Sequence, residues 1–449
     1  MMRWRWTWAA LPGALAVAVG AFAASCGGST ERADPDGGVG EPSPEGAEAN
    51  ALSLIAQGRE AFRHDTMGNE AFWSGQLQLQ DAIRGEANGG VGPGLSPAAA
   101  LELGIRVDVD ALPEEVQIAL GNGDVDLESP STTLDLLRLE AVVGVTGFFD
   151  GDELTGVGIN CALCHSDVDD SFAPSIGRRL DGYANRDVNP GAIIALAPSL
   201  EPFINLLGVD DATVRSVLNS WGPGAFDGHL VFDGQPMGPG GEPAAVLNPP
   251  LHGRAGVNLA TYNGWGSQAY WIGLVPNIEL FGEGTFDDAR LADADEFPVA
   301  AAAGLDRTDA ENDRITPLIP ALHVYLVSLP APVPEPGSFD EAAAERGEAL
   351  FNGAAQCATC HVPPLYSEPG WNLHPASDIG IDSFHADRGP EDAYRTTPLL
   401  GLAARQTGGF YHDGRFATVD DVIDHYNGVF DLGLGEDEQS DLAQFLLSL

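Results

Sequence analysis

Five cysteines stand in the chain, and four of them form two pairs with the same spacing and the same follower: Cys161-Ala-Leu-Cys164-His165 and Cys357-Ala-Thr-Cys360-His361. Thiols three residues apart lie one helical turn from each other, in reach of the two vinyl groups of one porphyrin. The imidazole beside the second sulfur then sits under the iron. The spacing predicts two covalently bound haem c groups, attached through Cys161, Cys164, Cys357 and Cys360, with His165 and His361 as iron ligands. Two local disulfides, or one zinc site built from both pairs, would use the same thiols. Neither explains a His after each pair.

The elements that must hold these motifs show as a repeat. Leu322-His-Val-Tyr325-Leu326-Val-Ser328-Leu329 and Leu442-Ala-Gln-Phe445-Leu446-Leu-Ser448-Leu449 share the pattern L-x-x-[YF]-L-x-S-L, whose apolar spacing puts one stripe on a helix face. Each copy follows one haem motif and is expected to close one haem domain. Between the copies, Pro330-Ala-Pro332-Val-Pro334-Glu-Pro336-Gly337 reads as a stiff linker over 330–337. The expected fold is mainly α: two cytochrome c-like helical haem domains with long irregular loops, 51–329 and 338–449, the first enlarged by insertions. In the second, helical spacing from Asp340 to Asn352 leads into Cys357. In the first, the surplus includes Gly89 to Leu95 and a Gly/Pro-dense loop from Gly222 to Pro243, where no regular element is expected.

Ahead of these lies a leader. Arg3 and Arg5 precede the small and apolar run Ala9 to Ala24, too short and too broken at Pro12-Gly13 to span a bilayer. Residues 1–25 read as an export signal of the lipoprotein kind. Ala23-Ala24-Ser25-Cys26 resembles a bacterial lipobox with Cys26 as the acylated residue, although Ala23 stands where Leu is usual. Residues 26–50, dominated by Gly, Pro, Ser and acidic side chains, read as a disordered tether. The expected location is the periplasm or cell envelope, with the membrane reached by the lipid anchor alone.

Near the C-terminus, Phe410-Tyr411-His412-Asp413-Gly414-Arg415-Phe416-Ala417-Thr418 precedes Asp420-Asp421-Val422-Ile423-Asp424-His425-Tyr426. Thr418 with Asp421 forms a capping-box start, placing His425 and Tyr426 on the helix it opens. With the two haem motifs, this string resembles the bacterial di-haem cytochrome c peroxidases and their MauG-type relatives, in which an aromatic-His-Asp-Gly turn precedes a short helix bearing a ligand of the C-terminal haem. Tyr394-Arg395-Thr396-Thr397-Pro398-Leu399 resembles the family's Arg/Lys-x-x-Pro-x-Leu approach, with Leu400-Gly401 in place of Arg-Asn. The likeness runs from about Gly347 to Tyr426 and is thin elsewhere.

The resemblance implies an oxidoreductase that reduces hydrogen peroxide at the N-terminal haem and relays electrons through the C-terminal one. It departs from the family where peroxidases commonly place a ligating Met. No Met follows Met237, and Tyr426 occupies that position, as in MauG-type enzymes, with His425 beside it. A packed aromatic is the alternative role of Tyr426, and His412 is expected to hydrogen-bond near the haem without binding it. Peroxide chemistry also needs a displaceable sixth ligand and a nearby acid or base. Opposite His165 the candidates are His64, Met67, His229, Met237, His252 and His323. Met237 sits on the irregular loop, which can deliver it or withdraw it. Glu279, within Val275-Pro276-Asn277-Ile278-Glu279-Leu280-Phe281, is the candidate catalytic carboxylate, since an apolar setting raises its pKa. Tyr262, Trp265, Tyr270 and Trp271 are either core or carriers of electrons. Two further readings compete: an electron-transfer cytochrome without substrate chemistry, and an oxidase like MauG or the di-haem rubber oxygenases.

Across its 449 residues the chain carries 66 acidic and 21 basic side chains, a net charge of −45, and every basic one is Arg. Such a surface repels nucleic acid and anionic lipid. A hydrophobic content of 44% supports a sizeable core. The expected electron donor is a small redox protein or cytochrome with a basic docking patch, unless a salty medium screens the repulsion.

Overall fold

The computed structural model describes residues 44–449. The export signal, the acylated Cys26 and most of the tether lie outside the described residues. The tether expectation is corrected at its end, because a helix runs Pro44–His64 and takes in seven residues assigned to disorder. Its first turns are exposed; Ala61 and Phe62, near its end, are buried and explain why it forms. The structure is mainly helical, with 43% helix and 11% strand, as expected for a cytochrome c-like fold. No helix among the described residues is long and apolar enough to cross a membrane.

Two helix crossings organise the molecule, and they are copies of each other. In the second half, Glu341–Asn352, capped by the Asp340 carboxylate on the Ala343 amide at 2.9 Å, lies across the closing helix Glu436–Ser448. A Cβ on Gly347 would sit 2.1 Å from the Asp441 carbonyl oxygen and 2.7 Å from the Phe445 Cβ, so only glycine permits this approach. In the first half, Pro44–His64 lies across Ile319–Ser328. There a Cβ on Gly58 would meet the Ala321 carbonyl oxygen at 2.1 Å and the Tyr325 Cβ at 2.5 Å. The repeated closing motif thus supplies Tyr325 and Phe445 to equivalent places, and Ser328 and Ser448 each donate to the carbonyl three residues back, at 2.7 and 2.6 Å.

The halves differ in what separates crossing from haem motif. Phe351 is six residues before Cys357, whereas Phe62 and Cys161 are separated by an insertion that includes the antiparallel hairpin Val145–Asp150 and Glu153–Ile159. Asn69 pins the hairpin's end, its amide reaching the Ile159 carbonyl at 2.7 Å and its oxygen accepting from the Ile159 amide at 3.0 Å. Asp181 then ties the crossing to the motif. It accepts from Arg63 at 2.6 Å, from the Tyr325 hydroxyl, and from Ser166, the residue after His165, at 2.8 Å.

Between Gly222 and Pro243, where no regular element was expected, the chain forms a strand, Ala225–Phe226, paired with Val246–Leu247, and a one-turn helix, Leu230–Asp233. All four helix residues are buried, so packing outweighs the flanking glycines. The segment 330–337 is irregular; its start is held against the protein, while Val333 and residues 335–337 are exposed. The Leu329 carbonyl accepts from Gly253, and Pro332 abuts Gly401.

Candidate functional site

Both Cys-x-x-Cys-His strings fold as single turns that bring their cysteines to one side. In the first, Ala162–His165 is a short helix opened by Asn160, whose oxygen accepts from the Ala162 amide at 3.2 Å. In the second, the Cys357 carbonyl accepts from the amides of Cys360 and His361 at 3.3 and 2.9 Å. The histidines are held alike. Nδ1 of His165 lies 3.1 Å from the Pro249 carbonyl oxygen, and Nδ1 of His361 lies 3.2 Å from that of Tyr366. A proton on Nδ1 shared with a carbonyl fixes the tautomer and leaves Nε2 for a metal. Withdrawal from bulk water lowers both imidazoles to about 4, so they are neutral, as ligands must be.

All four thiols are free. Burial raises Cys161 and Cys357 to about 11 and Cys164 to about 12, so they stand as neutral thiols. The two pairs are not brought together, and the one ligand cluster among the described residues joins Cys360 to Glu368 and His374 instead. Glu368 there is already engaged by His374 and by Thr396, both at 2.5 Å.

A cavity of about 420 Å³ opens at the second motif, within the range of small-molecule and cofactor sites. Cys357, Cys360 and His361 form part of its wall, and Tyr426 faces it from the helix Val419–Val429. The predicted capping box is present: Thr418 accepts from the Asp421 amide at 3.1 Å and Asp421 accepts from the Thr418 amide at 2.8 Å. His425 points elsewhere, with Nε2 2.8 Å from the Ile379 carbonyl oxygen. Of the two neighbours, Tyr426 alone lines the cavity. Burial raises its pKa, and the Tyr411 ring lies beside it, centroids 6.3 Å apart.

Four arginines share this wall, Arg186 and Arg254 from the first half, Arg395 and Arg405 from the second; of these only Arg395 stood out in the sequence, in the string that leads to Pro398. The last three are anchored on carbonyls and not on carboxylates: Arg254 on Leu259, Arg395 on Ala260 and Thr261, Arg405 on Pro398. Buried guanidinium nitrogens of Arg186, Arg254 and Arg405 have no partner at all, nor has either ring nitrogen of His252 beside them. Desolvation and mutual repulsion pull Arg254 and Arg405 down to about 10. An uncompensated buried cation is costly, and in a chain of net charge −45 the clustering is not a general excess of bases. The two propionates of a haem are carboxylates that Arg pairs well. The donor set therefore fits the haem that the cysteines imply.

Around the first motif, Glu279 ends a π-helical turn, Val275–Glu279, that extends the helix Gln268–Leu274. Its accessible surface faces a second, mainly apolar cavity of about 220 Å³, which also touches Asp227 and Trp73. Burial, and then the charge of Asp227, raise Glu279 to about 8, and Glu279 in turn contributes to the high pKa of Cys164. Glu279 is thus near the first motif, although Cys161, Cys164 and His165 do not line this cavity.

The distal candidates scatter. Met237 is 39% exposed on a bridge to Pro243 and lines neither cavity; the tight Gly238–Gly241 turn holds the loop outward, so it offers no ligand in this arrangement. Met67 and His323 pack near the first crossing, and His64 ends its helix. His252 lines the large cavity, and His229 lies deep beside Asn263. Among the aromatics, Trp265 is fully buried against Phe297 and Tyr270 donates to Asp288, while Tyr262 alone reaches the large cavity.

No family model matches the chain. It is 29% identical to the cytochrome-c peroxidase IdrP1 of Denitromonas iodatirespirans, over 43% of this chain and 66% of that protein. It is 31% identical to the methylamine utilization protein MauG of Methylorubrum extorquens, over 25% of this chain and 34% of that protein. The chain therefore spans just under two thirds of the first relative and a third of the second. A hydrazine synthase structure from Kuenenia stuttgartiensis aligns over 48% of this chain and 76% of its own at 18% identity, with a TM-score of 0.27. The two sequence similarities support a redox function in general.

Proposed function

We propose that this chain is an exported di-haem c-type oxidoreductase that reduces hydrogen peroxide near His165 and takes its electrons through the group held at His361. The observation that carries the reading is the paired geometry: two Cys-x-x-Cys-His turns, each with a neutral imidazole whose Nδ1 is held by a backbone carbonyl. Haem, when bound, supplies the iron at which the O–O bond is cleaved and the store of electrons.

Everything else falls to the side chains. Cys161, Cys164, Cys357 and Cys360 attach the groups, and His165, His361 and Tyr426 ligate them. Arg254, Arg395 and Arg405 neutralise carboxylates in the large cavity. Glu279, still protonated at neutral pH because it is desolvated beside Asp227, donates a proton to the departing oxygen; a carboxyl with a pKa near the working pH is suited to that task. Conversion of one peroxide to two waters takes two electrons and two protons. The donor is a small redox protein carrying a basic patch, docking on the acidic surface. Export accords with the leader and with attachment of haem outside the cytoplasm.

The test is peroxide consumption by the full-length holoprotein with a reduced cytochrome as donor, starting from the half-reduced as well as the ferric state. Turnover well above that of free haem is expected; a rate no better than free haem refutes the reading. The Tyr at the cavity favours a second one, an oxidase of the MauG kind, which predicts a long-lived oxidised species after peroxide addition in place of rapid turnover.

A further inference from the structure

Three histidines from separate stretches of chain meet in the interior. His229 precedes the helix Leu230–Asp233, His385 precedes the turn Ala386–Arg388, and His412 belongs to the aromatic-His-Asp-Gly string. His412 and His385 are stacked with centroids 4.9 Å apart, and His385 meets His229 edge-on at 5.2 Å. All three are buried, His385 to 2% exposure. His412 lines the large cavity. At the other end His229 is two residues from Asp227, on the wall of the second cavity. Glu279 lies against the intervening Gly228, where a Cβ would stand 2.3 Å from its Oε1.

Apolar rings would fill this space at lower cost. Neither ring nitrogen of His385 has a protein partner, and that of His229 nearest Asn263 is 3.3 Å from its amide. Leaving a buried polar group unpaired is costly, so imidazoles where apolar rings would serve point to a use for their nitrogens. The charged neighbours select which use. Arg388 stands beside His229 and His385, holding Asp227 at 2.9 Å and Asp233 at 2.6 Å; Asp382, Asp413 and Arg415 surround His412, and Tyr262 and Tyr394 face the row. Burial and these cations keep the imidazoles neutral. A neutral imidazole carries one N–H and one lone pair, so it can accept a proton on one nitrogen while releasing another, with no standing charge. Neighbouring rings, 4.9 and 5.2 Å apart between centroids, are too close for a water between their faces, so transfer runs along the ring edges, where one water can bridge two nitrogens.

We propose that His412, His385 and His229 form a proton path from the large cavity to the Asp227–Glu279 pair, resupplying the acid that peroxide reduction consumes. The path rests on the function proposed above. Per peroxide it carries two protons, while the two electrons come from the donor.

The test uses the full-length holoprotein. His385→Phe keeps the stacked ring and removes its exchangeable proton; His385→Gln serves if the first variant fails to load haem. Two quantities are followed: single-turnover peroxide consumption in H2O and D2O, and dye-reported proton uptake on chemical reduction without peroxide. The expected result is slowing of both by about tenfold or more, with an altered solvent isotope effect, while the spectra of both haems, the melting temperature and flash-initiated inter-haem electron transfer stay at wild-type values. Wild-type rates with an unaltered isotope effect overturn the path. So does slowing confined to electron transfer. A wild-type protein inert toward peroxide refutes the proposed function instead, and the path is then decided by proton uptake alone.

Discussion

Replacing Gly347 by Ala sets two effects of opposite sign against each other. Within a helix, Gly→Ala gains roughly 0.5–1 kcal/mol through the unfolded state and helix propensity. At Gly347 the new Cβ would stand 2.1 Å from the Asp441 carbonyl oxygen, well inside the 3.0 Å that real Cβ contacts keep, and the obstacle is backbone. The helices Glu341–Asn352 and Glu436–Ser448 must part by roughly 1 Å, enough to forfeit a quarter to a half of the dispersion energy between facing atoms. Overpacking of this kind costs typically about 1–3 kcal/mol. We expect a net loss of about 1–2 kcal/mol, seen as a fall in the denaturant midpoint at unchanged slope. Gly428→Ala is the matched control: it lies in the helix Val419–Val429 with nothing within 4 Å of its added Cβ, and should raise the midpoint. If Gly347→Ala is as stabilising as Gly428→Ala, the close crossing is not what holds the second half together.

Three further outcomes follow from the site. Tyr426→Phe should change the spectrum and potential of the haem proposed at Cys357 and Cys360, whereas His425→Gln should leave both unchanged, because His425 serves the Ile379 carbonyl; the reverse pattern would exchange their roles. Glu279 has a folded pKa of about 8 against an ordinary 4.5. The folded state holds a proton that the unfolded state has released between those values, so its contribution to stability is full below about 4.5 and is lost as pH rises toward 8. Denaturant titrations across that window should therefore show a steeper loss for wild type than for Glu279→Gln, and parallel curves would contradict the burial of Glu279. Arg388→Met strands Asp227 and Asp233 in the interior, and by denaturant unfolding should cost about 3–5 kcal/mol; a loss under 1 kcal/mol would show that the carboxylates reach water.

The haem motifs, the closing repeat and the capped helix bearing Tyr426 were legible because each is a local pattern. Its spacing is set by one helical turn or by a cap three residues long. The burial of Glu279 was legible the same way, from an apolar neighbourhood in sequence that became an apolar neighbourhood in space. What stayed hidden depends on contacts across the chain. Arg254 and Arg395 line one cavity from positions far apart in sequence, and His229 meets His385 only after both halves fold. Gly58 could have been found: Gly58-x-x-Ala61-Phe62 parallels Gly347-x-x-Leu350-Phe351. The long insertion before Cys161 separates it from the motif that would have drawn attention to it. Met237 shows the opposite hazard, since a ligand type on a pliable loop says nothing about where the loop rests.

The paired crossings also bear on the order of folding. Gly347 meets a partner about 90 residues on, whereas Gly58 must wait for one about 260 residues on; loop-closure entropy alone makes the longer search dearer by about 1 kcal/mol, and distant contacts form slowly. The second half should nucleate first, with amides of Glu341–Asn352 protected from exchange before those of Pro44–His64 in a pulse-labelling experiment; simultaneous protection would contradict this order. The helix Pro44–His64 is then the last to be clasped, and the Cys161 turn stays open to solvent after the Cys357 turn has already been enclosed.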